Sequence, residues 1–192
     1  PVLIGLLVPT VTLDSTTVSA KGYHFPLAAG STGTVSEDGT RVQYLKPDTS
    51  LYFTSAAYDK EMRKEMKKYK GSGDLTITTD NYMEIMELIY LYPDEFSGRN
   101  ITYTGFVYNE PGHDGYQFLF RFGIIHCIAD SGVYGLLTTG NATSYPNNTW
   151  ITATGTISLE YDKTLEQNLP VLHISKIKET DAPDNPYVYR VF

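Results

Sequence analysis

The chain is predicted to be a mainly β protein with a few helices, an α+β fold whose C-terminal part is a five-stranded OB-like β-barrel preceded by a helical and extended N-terminal portion. Three observations predict it. Between Asn100 and Asp130 two apolar runs flank a break at Glu110–Gly115, and Phe118, Phe120, Phe122 and Ile124 recur at period two. Sixteen Tyr, eight Phe and many Thr and Val favour strands over helices. Five strand-like runs follow from Asn100, with bends at Gly105, Gly123 and Gly155 and one long connection, which a small, partly open barrel accommodates economically.

At the start, Pro1 to Pro9 is intensely apolar, but it is too short to span a bilayer and lacks the basic region that opens a signal peptide. It reads as a buried first strand or as the tail end of a transmembrane helix, and the residues alone leave both open. From Pro1 to Thr40 the only basic side chain is Lys21, against Asp14, Glu37 and Asp38. Cytoplasmic flanks of membrane helices are rich in Lys and Arg, so if a helix precedes the chain, the chain lies outside. Residues 10 to 34 carry Thr, Ser, Gly and Ala without a period and read as an extended surface segment. Thr34–Val35 and Arg41–Lys46 then flank Asp38-Gly39, which favours a tight hairpin turn.

Ser55 to Lys70 reads as a helix with Tyr58, Met62, Met66 and Tyr69 in an apolar stripe. Lys60, Arg63, Lys64, Lys67, Lys68 and Lys70 load its other faces, a density that invites a nucleic-acid or membrane reading; partly balanced by Asp59, Glu61 and Glu65, they read instead as a solvated face. Leu75–Thr78 is a short strand. Asp80 is placed to cap a second helix whose Tyr82, Ile85, Met86, Ile89 and Tyr90 form a core stripe, with Pro93 stopping it. Beyond Asp130 come a strand over Val133–Thr138 and a polar loop over Gly140–Asn148. Trp150–Tyr161 alternates, with Ile151, Ala153, Ile157 and Leu159 on one face, and Gly155 in its middle predicts a bulge or sharp coil. Leu169–Lys178 is a last strand and Pro183–Phe192 an aromatic tail. The expected division is a membrane-proximal segment over 1–20, a hairpin and helix over 21–73 and the OB-like barrel over 74–192.

Composition narrows the function. A net charge of −7 argues against a surface that neutralises nucleic-acid phosphates or anionic lipid. The single cysteine, Cys127, excludes an internal disulfide and a cysteine-based structural zinc site. No Gly-rich phosphate loop, His-Glu-Xaa-Xaa-His or Gly-Xaa-Ser-Xaa-Gly occurs. A Cys-His nucleophile would need an orienting group and an oxyanion pocket, which spacing does not reveal.

Gly105-Phe106-Val107-Tyr108, Phe120-Arg121-Phe122 leading into His126-Cys127-Ile128-Ala129-Asp130, Gly135-Leu136, Trp150-Ile151, Thr154-Gly155-Thr156 and Pro186-Tyr187-Val188-Tyr189 together resemble the YcgQ-like family. These are bacterial membrane-anchored proteins of unknown function, regarded as the smaller subunit of a proposed two-component permease. The resemblance runs from about Asp74 to Tyr189 and implies two membrane helices ahead of this region, which favours the transmembrane reading of the N-terminus. It implies a non-enzymatic, extracytoplasmic domain at the cell membrane whose partner is a permease subunit or its cargo; the net charge adds the expectation of no nucleic acid as partner.

The chain departs from the family where His126-Cys127 stands in place of Cys-Cys. Either pair can ligate zinc or a similar ion, so His126, Cys127 and Asp130 are the candidate metal ligands, with His113 or His173 as further donors. Adjacent residues of a regular strand point to opposite faces, which opposes this reading, and a buried free cysteine beside a hydrogen-bonded histidine is the simpler one. Metal binding in ion transport or homeostasis is therefore the alternative function, with zinc as its cofactor. Arg121, His113 and Tyr108 are the candidate binding surface.

Overall fold

The computed structural model describes residues 13–21, 55–71, 73–111, 115–124, 131–140, 144–162 and 167–190. The apolar start and the hairpin expected over 34–46 lie outside these residues.

Helix α1, Ser15–Lys21, stands where the unpatterned composition predicted extended chain. Its start is local chemistry: Asp14 Oδ1 accepts the backbone N–H of Thr16 at 2.9 Å and its hydroxyl at 2.6 Å, the work of an N-cap residue. Val18 then holds the helix to the core, 1 % exposed. Helix α2, Ser55–Met66, continues into a tight turn of 3-10 helix at Lys67–Tyr69. Strand β1, Leu75–Thr76, is shorter than the expected run.

Helix α3, Tyr82–Leu91, buries Ile85, Met86 and Ile89 as expected, but Met83, Glu87 and Leu88 are buried as well. One face packs on the sheet and another lies under α2, so this helix is enclosed rather than amphipathic. Its N-cap position is Asn81, not Asp80, and the Asn81 side chain turns back to accept the Thr78 N–H at 2.7 Å. Pro93 ends α3 and also opens α4, Pro93–Phe96, where a missing N–H is harmless in the first turn.

The remaining strands are β2 (Asn100–Tyr108), β3 (Gln117–Ile124), β4 (Ser131–Thr139), β5 (Trp150–Asp162), β6 (Gln167–Glu179) and β7 (Tyr187–Tyr189). Among the described residues they form one sheet in the order β1-β2-β5-β6-β4-β3-β7, and a further pairing of β2 with β3 closes β2 through β6 into a ring of five. Strands β2, β3 and β4 follow one another antiparallel, and β5 returns to lie beside β2, the fourth-strand return of a Greek key. Strand β6 completes the ring by pairing antiparallel with β5 and parallel with β4. The aromatic tail, for which no strand is expected from sequence, contains β7, which adds to β3 in parallel.

Alternation in β5 is as expected: Ile151, Ala153 and Ile157 face the core, while Thr152 and Thr154 face outward and meet Thr104 and Thr102 hydroxyl to hydroxyl at 2.7 and 2.8 Å. The bulge expected at Gly155 is present, since Thr154 pairs with Lys176 and Gly155 with Ile174, leaving Ser175 as the extra residue. A Cβ at Gly155 would stand 2.2 Å from the His173 carbonyl oxygen, and one at Gly135 would stand 1.9 Å from that of Leu119. Close backbone approach at these two points lets the strands coil tightly enough to meet. One continuous apolar core joins Val18, Tyr58 and Met62 to the inward residues of the ring. No helix among the described residues is long and apolar enough to cross a membrane.

Candidate functional site

The densest group of interior charges lies where the tail meets the helices. Strand β7 runs beside the end of β3, and the Arg190 N–H donates to the Ile124 carbonyl at 3.4 Å. The Arg190 side chain enters between α2 and α3, where Nη2 lies 3.1 Å from Glu87 Oε2 and 3.3 Å from Glu65 Oε2. The Tyr58 hydroxyl donates to Glu87 Oε1, and Met62 Sδ lies 3.6 Å from Arg190 Nη2. Burial pushes the Glu87 carboxyl above its ordinary value, opposed by the Arg190 charge and the Tyr58 hydrogen bond. Burial, reinforced by the Glu87 charge, also pushes the Tyr58 hydroxyl up. Both Glu87 oxygens are occupied, so the group acts as a latch joining α2, α3 and the tail.

A second cation, Arg121 of β3, is also interior, 2 % exposed, and does not present itself at the surface. Its Nε donates to Pro186 O at 3.3 Å, Nη2 to Asn185 O at 2.7 Å and Nη1 to Thr79 Oγ1 at 2.9 Å. The guanidinium carbon lies 5.5 Å from the Tyr82 ring centre and 5.9 Å from that of Trp150. Arg121 therefore fixes the tail before β7, as Arg190 fixes it after. Tyr108 is likewise buried, with its hydroxyl 3.2 Å from Ser19 Oγ of α1.

His126, Cys127 and Asp130, and with them His113, lie outside the described residues. Among the described residues the ladder between β3 and β4 runs to Ile124 opposite Ser131, and Ile124 also pairs with Tyr189. His173, the other proposed donor, stands on the outer face of β6. There its Nε2 is 2.5 Å from Glu160 Oε1 and 2.7 Å from Ser158 Oγ. Serine and carboxylate share one ring nitrogen, whereas a nucleophile relay needs them on opposite nitrogens. Among the described residues no three His, Cys, Asp or Glu side chains converge to hold a metal ion.

The latch was missed from sequence, although Glu87 within the apolar run of α3 was a signal. A carboxyl in a largely buried helix needs an ionic or hydrogen-bonding partner, and nothing local names Arg190 as that partner.

Fold and interior together define a mainly β domain, a ring of strands overlaid by helices and strapped by its own tail. Residues 52–190 match the DUF1980 C-terminal domain, and the chain belongs to that family. It is 72% identical over 193 residues to a protein of Streptococcus mutans named as a proposed two-component membrane permease complex subunit, covering 100% of this chain and 71% of that protein. It is 40% identical over 194 residues to the UPF0703 protein YcgQ of Bacillus subtilis, covering 100% of this chain and 66% of that protein. The chain thus spans about two thirds of YcgQ and slightly more of the streptococcal protein, and the resemblance read from its motifs is a true family relationship. Among solved structures, asparaginyl-tRNA synthetase from Pyrococcus horikoshii matches 48% of this chain and 23% of its own at TM-score 0.27 and 16% identity. Aspartyl tRNA synthetase from Entamoeba histolytica matches 57% and 25% at TM-score 0.29, also at 16% identity. Scores this low carry no weight for fold or function.

Proposed function

We propose that this chain is the extracytoplasmic, non-enzymatic domain of a membrane-anchored accessory subunit, which binds a partner permease or its cargo. The observation that carries this reading is identity of 72% along the whole chain to a protein named as a permease complex subunit. The scarcity of Lys and Arg from Pro1 to Thr40 supports placement outside the cytoplasm. The interior supports a scaffold: Arg121, Arg190 and Glu87 are spent on fixing the tail and helices to the ring. The Greek-key return of β5 and the five-strand ring support an OB-like barrel over 74–192; the membrane-proximal segment over 1–20 and the hairpin and helix over 21–73 complete the proposed division.

Affinity purification of the full-length protein from membranes in mild detergent tests the reading. A second membrane protein should co-purify in fixed proportion, and its absence removes the accessory role. Protease shaving of intact cells, after any wall is removed, tests the orientation; protection of the whole domain reverses it.

The alternative, a zinc-type site on His126, Cys127 and Asp130, rests on the chemistry of those side chains. Zinc titration is its test.

A further inference from the structure

We propose that the outward face of α2 and its following turn is a docking surface for the anionic headgroups of the membrane in which the protein is anchored. The total charge of −7 conceals a strong separation. Residues 59–70 hold six basic and three acidic side chains, a balance of +3, which leaves −10 on the rest of the chain. Net charge speaks against binding a polyanion only where the charge is evenly spread.

The fold sorts these charges further. Tyr58 and Met62 turn α2 inward, and Lys60, Arg63, Lys64 and Lys67, spaced i, i+3, i+4 and i+7, are all exposed on the opposite side. Of the acidic residues that balance this helix in sequence, Glu65 is drawn inward to Arg190 at 3.3 Å, its side chain 13% exposed. Glu61 is engaged by Lys64, and Lys68 by Glu84 of α3, each at 3.0 Å. Among the described residues Lys60, Lys67 and Lys70 form no ion pair, and Arg63 lies over the Tyr92 ring at 5.9 Å. The outward face is therefore a row of cations with only Asp59 beside it uncommitted, while the acidic remainder of the domain is repelled by an anionic surface. Attraction here and repulsion elsewhere would fix which side of the domain faces the membrane. The phosphate of lipid headgroups is the chemistry that suits such a row of solvated point charges, each contributing about a fivefold gain in binding.

The inference rests on the membrane-anchored reading, and the experiment separates the two. The purified 192-residue chain is sedimented with vesicles of phosphatidylglycerol and phosphatidylcholine in equal parts, and with phosphatidylcholine alone. Wild type should bind the anionic vesicles and release as the Debye length is cut to about 3 Å with about 1 M salt. The variant Lys60→Glu/Arg63→Glu/Lys67→Glu should lose that binding by more than a hundredfold, and Lys60→Gln and Lys67→Gln by about fivefold each, with unchanged unfolding midpoints. Lys176→Glu/Lys178→Glu, exposed on β6, should bind as wild type. Binding through the apolar N-terminus would be equal on both vesicles and indifferent to salt, so it does not imitate this result. The proposal is overturned if wild type does not prefer the anionic vesicles or if the triple variant binds as wild type does. Equal loss in the β6 control also overturns it. Loss of a co-purifying membrane protein by the triple variant, with vesicle binding intact, assigns the face to a protein partner and overturns it too. Protease shaving reads the anchoring and orientation independently of every one of these outcomes.

Discussion

Arg190 and Glu87 meet at 3.1 Å inside the protein, joining the end of the chain to the middle of α3. Removing one member of a buried ion pair strands the other charge, at a cost of about 3–5 kcal/mol, whereas replacing both with apolar groups is often close to neutral. Arg190→Met should therefore destabilise strongly, and Glu87→Leu/Arg190→Met should recover most of the loss. Urea unfolding of the full double-mutant cycle reads this, and simple additivity of the two losses would refute the latch.

The same pair has a pH signature. Burial raises the folded Glu87 pKa above that of the unfolded chain, so between the two values the folded state binds more protons. The contribution of Glu87 is thus fully present below the ordinary glutamate range and is lost as pH rises through its folded value. Glu87→Gln should flatten that part of the stability profile. Because Arg190 favours the ionised carboxyl, the penalty of Arg190→Met should deepen as pH rises over the same interval. A penalty independent of pH would mean that Glu87 does not change ionisation there.

Strand coiling depends on two glycines. Gly135→Ala drives a methyl to 1.9 Å from a backbone oxygen, and Gly155→Ala to 2.2 Å, and backbone cannot step aside as a side chain does. Each should cost about 3 kcal/mol, the upper end for overpacking. Gly73→Ala, with nothing within 4 Å of the added atom, should change stability by less than about 0.5 kcal/mol. Thermal unfolding of the three variants decides it.

Arg121 should act on the tail before it acts on the ring. Arg121→Met leaves the carbonyls of Asn185 and Pro186 without the guanidinium and removes the cation between Tyr82 and Trp150. Amide exchange over 185–190 should accelerate at least tenfold more than exchange in β5. Uniform acceleration would show that the tail and ring open as one unit.

If zinc binds, Cys127 does so as a thiolate and His126 as neutral imidazole, so affinity should weaken as pH falls through about 6.5. Cys127→Ser should abolish the calorimetric heat of zinc titration with a modest loss of stability. No saturable heat from wild type at micromolar protein ends the metal reading. If Cys127 instead packs as a small hydrophobe, Cys127→Ser should leave no metal phenotype and cost about 1–3 kcal/mol, the cost of a hydroxyl without an assured partner.

Much of the fold was legible locally. Alternation in β5 announced its inward face, the apolar run of Tyr82–Leu91 announced a core helix, and a glycine in mid-strand announced the bulge at Thr154 and Gly155. The short helix α1 was not legible, because seven residues rich in Ser and Thr carry no period and are held by the Asp14 cap and by Val18.

By itself, then, the sequence determined the positions of the ring strands, the facing of β5 and the family, since these follow from the period of side chains along a strand and from motif order. Tertiary structure alone decided that β5 returns to β2, that β6 runs parallel to β4, and that the aromatic tail supplies a strand. It also turned Arg121 from an expected surface residue into an interior clamp and drew Glu65 inward, leaving the cations of α2 exposed. The physical reason is that a charge is sorted by its surroundings, and the groups that surround Arg121, Glu87 and Arg190 lie far from them along the chain. Pattern along a strand is written within a few residues, whereas the partner of a buried charge is chosen only when distant segments meet.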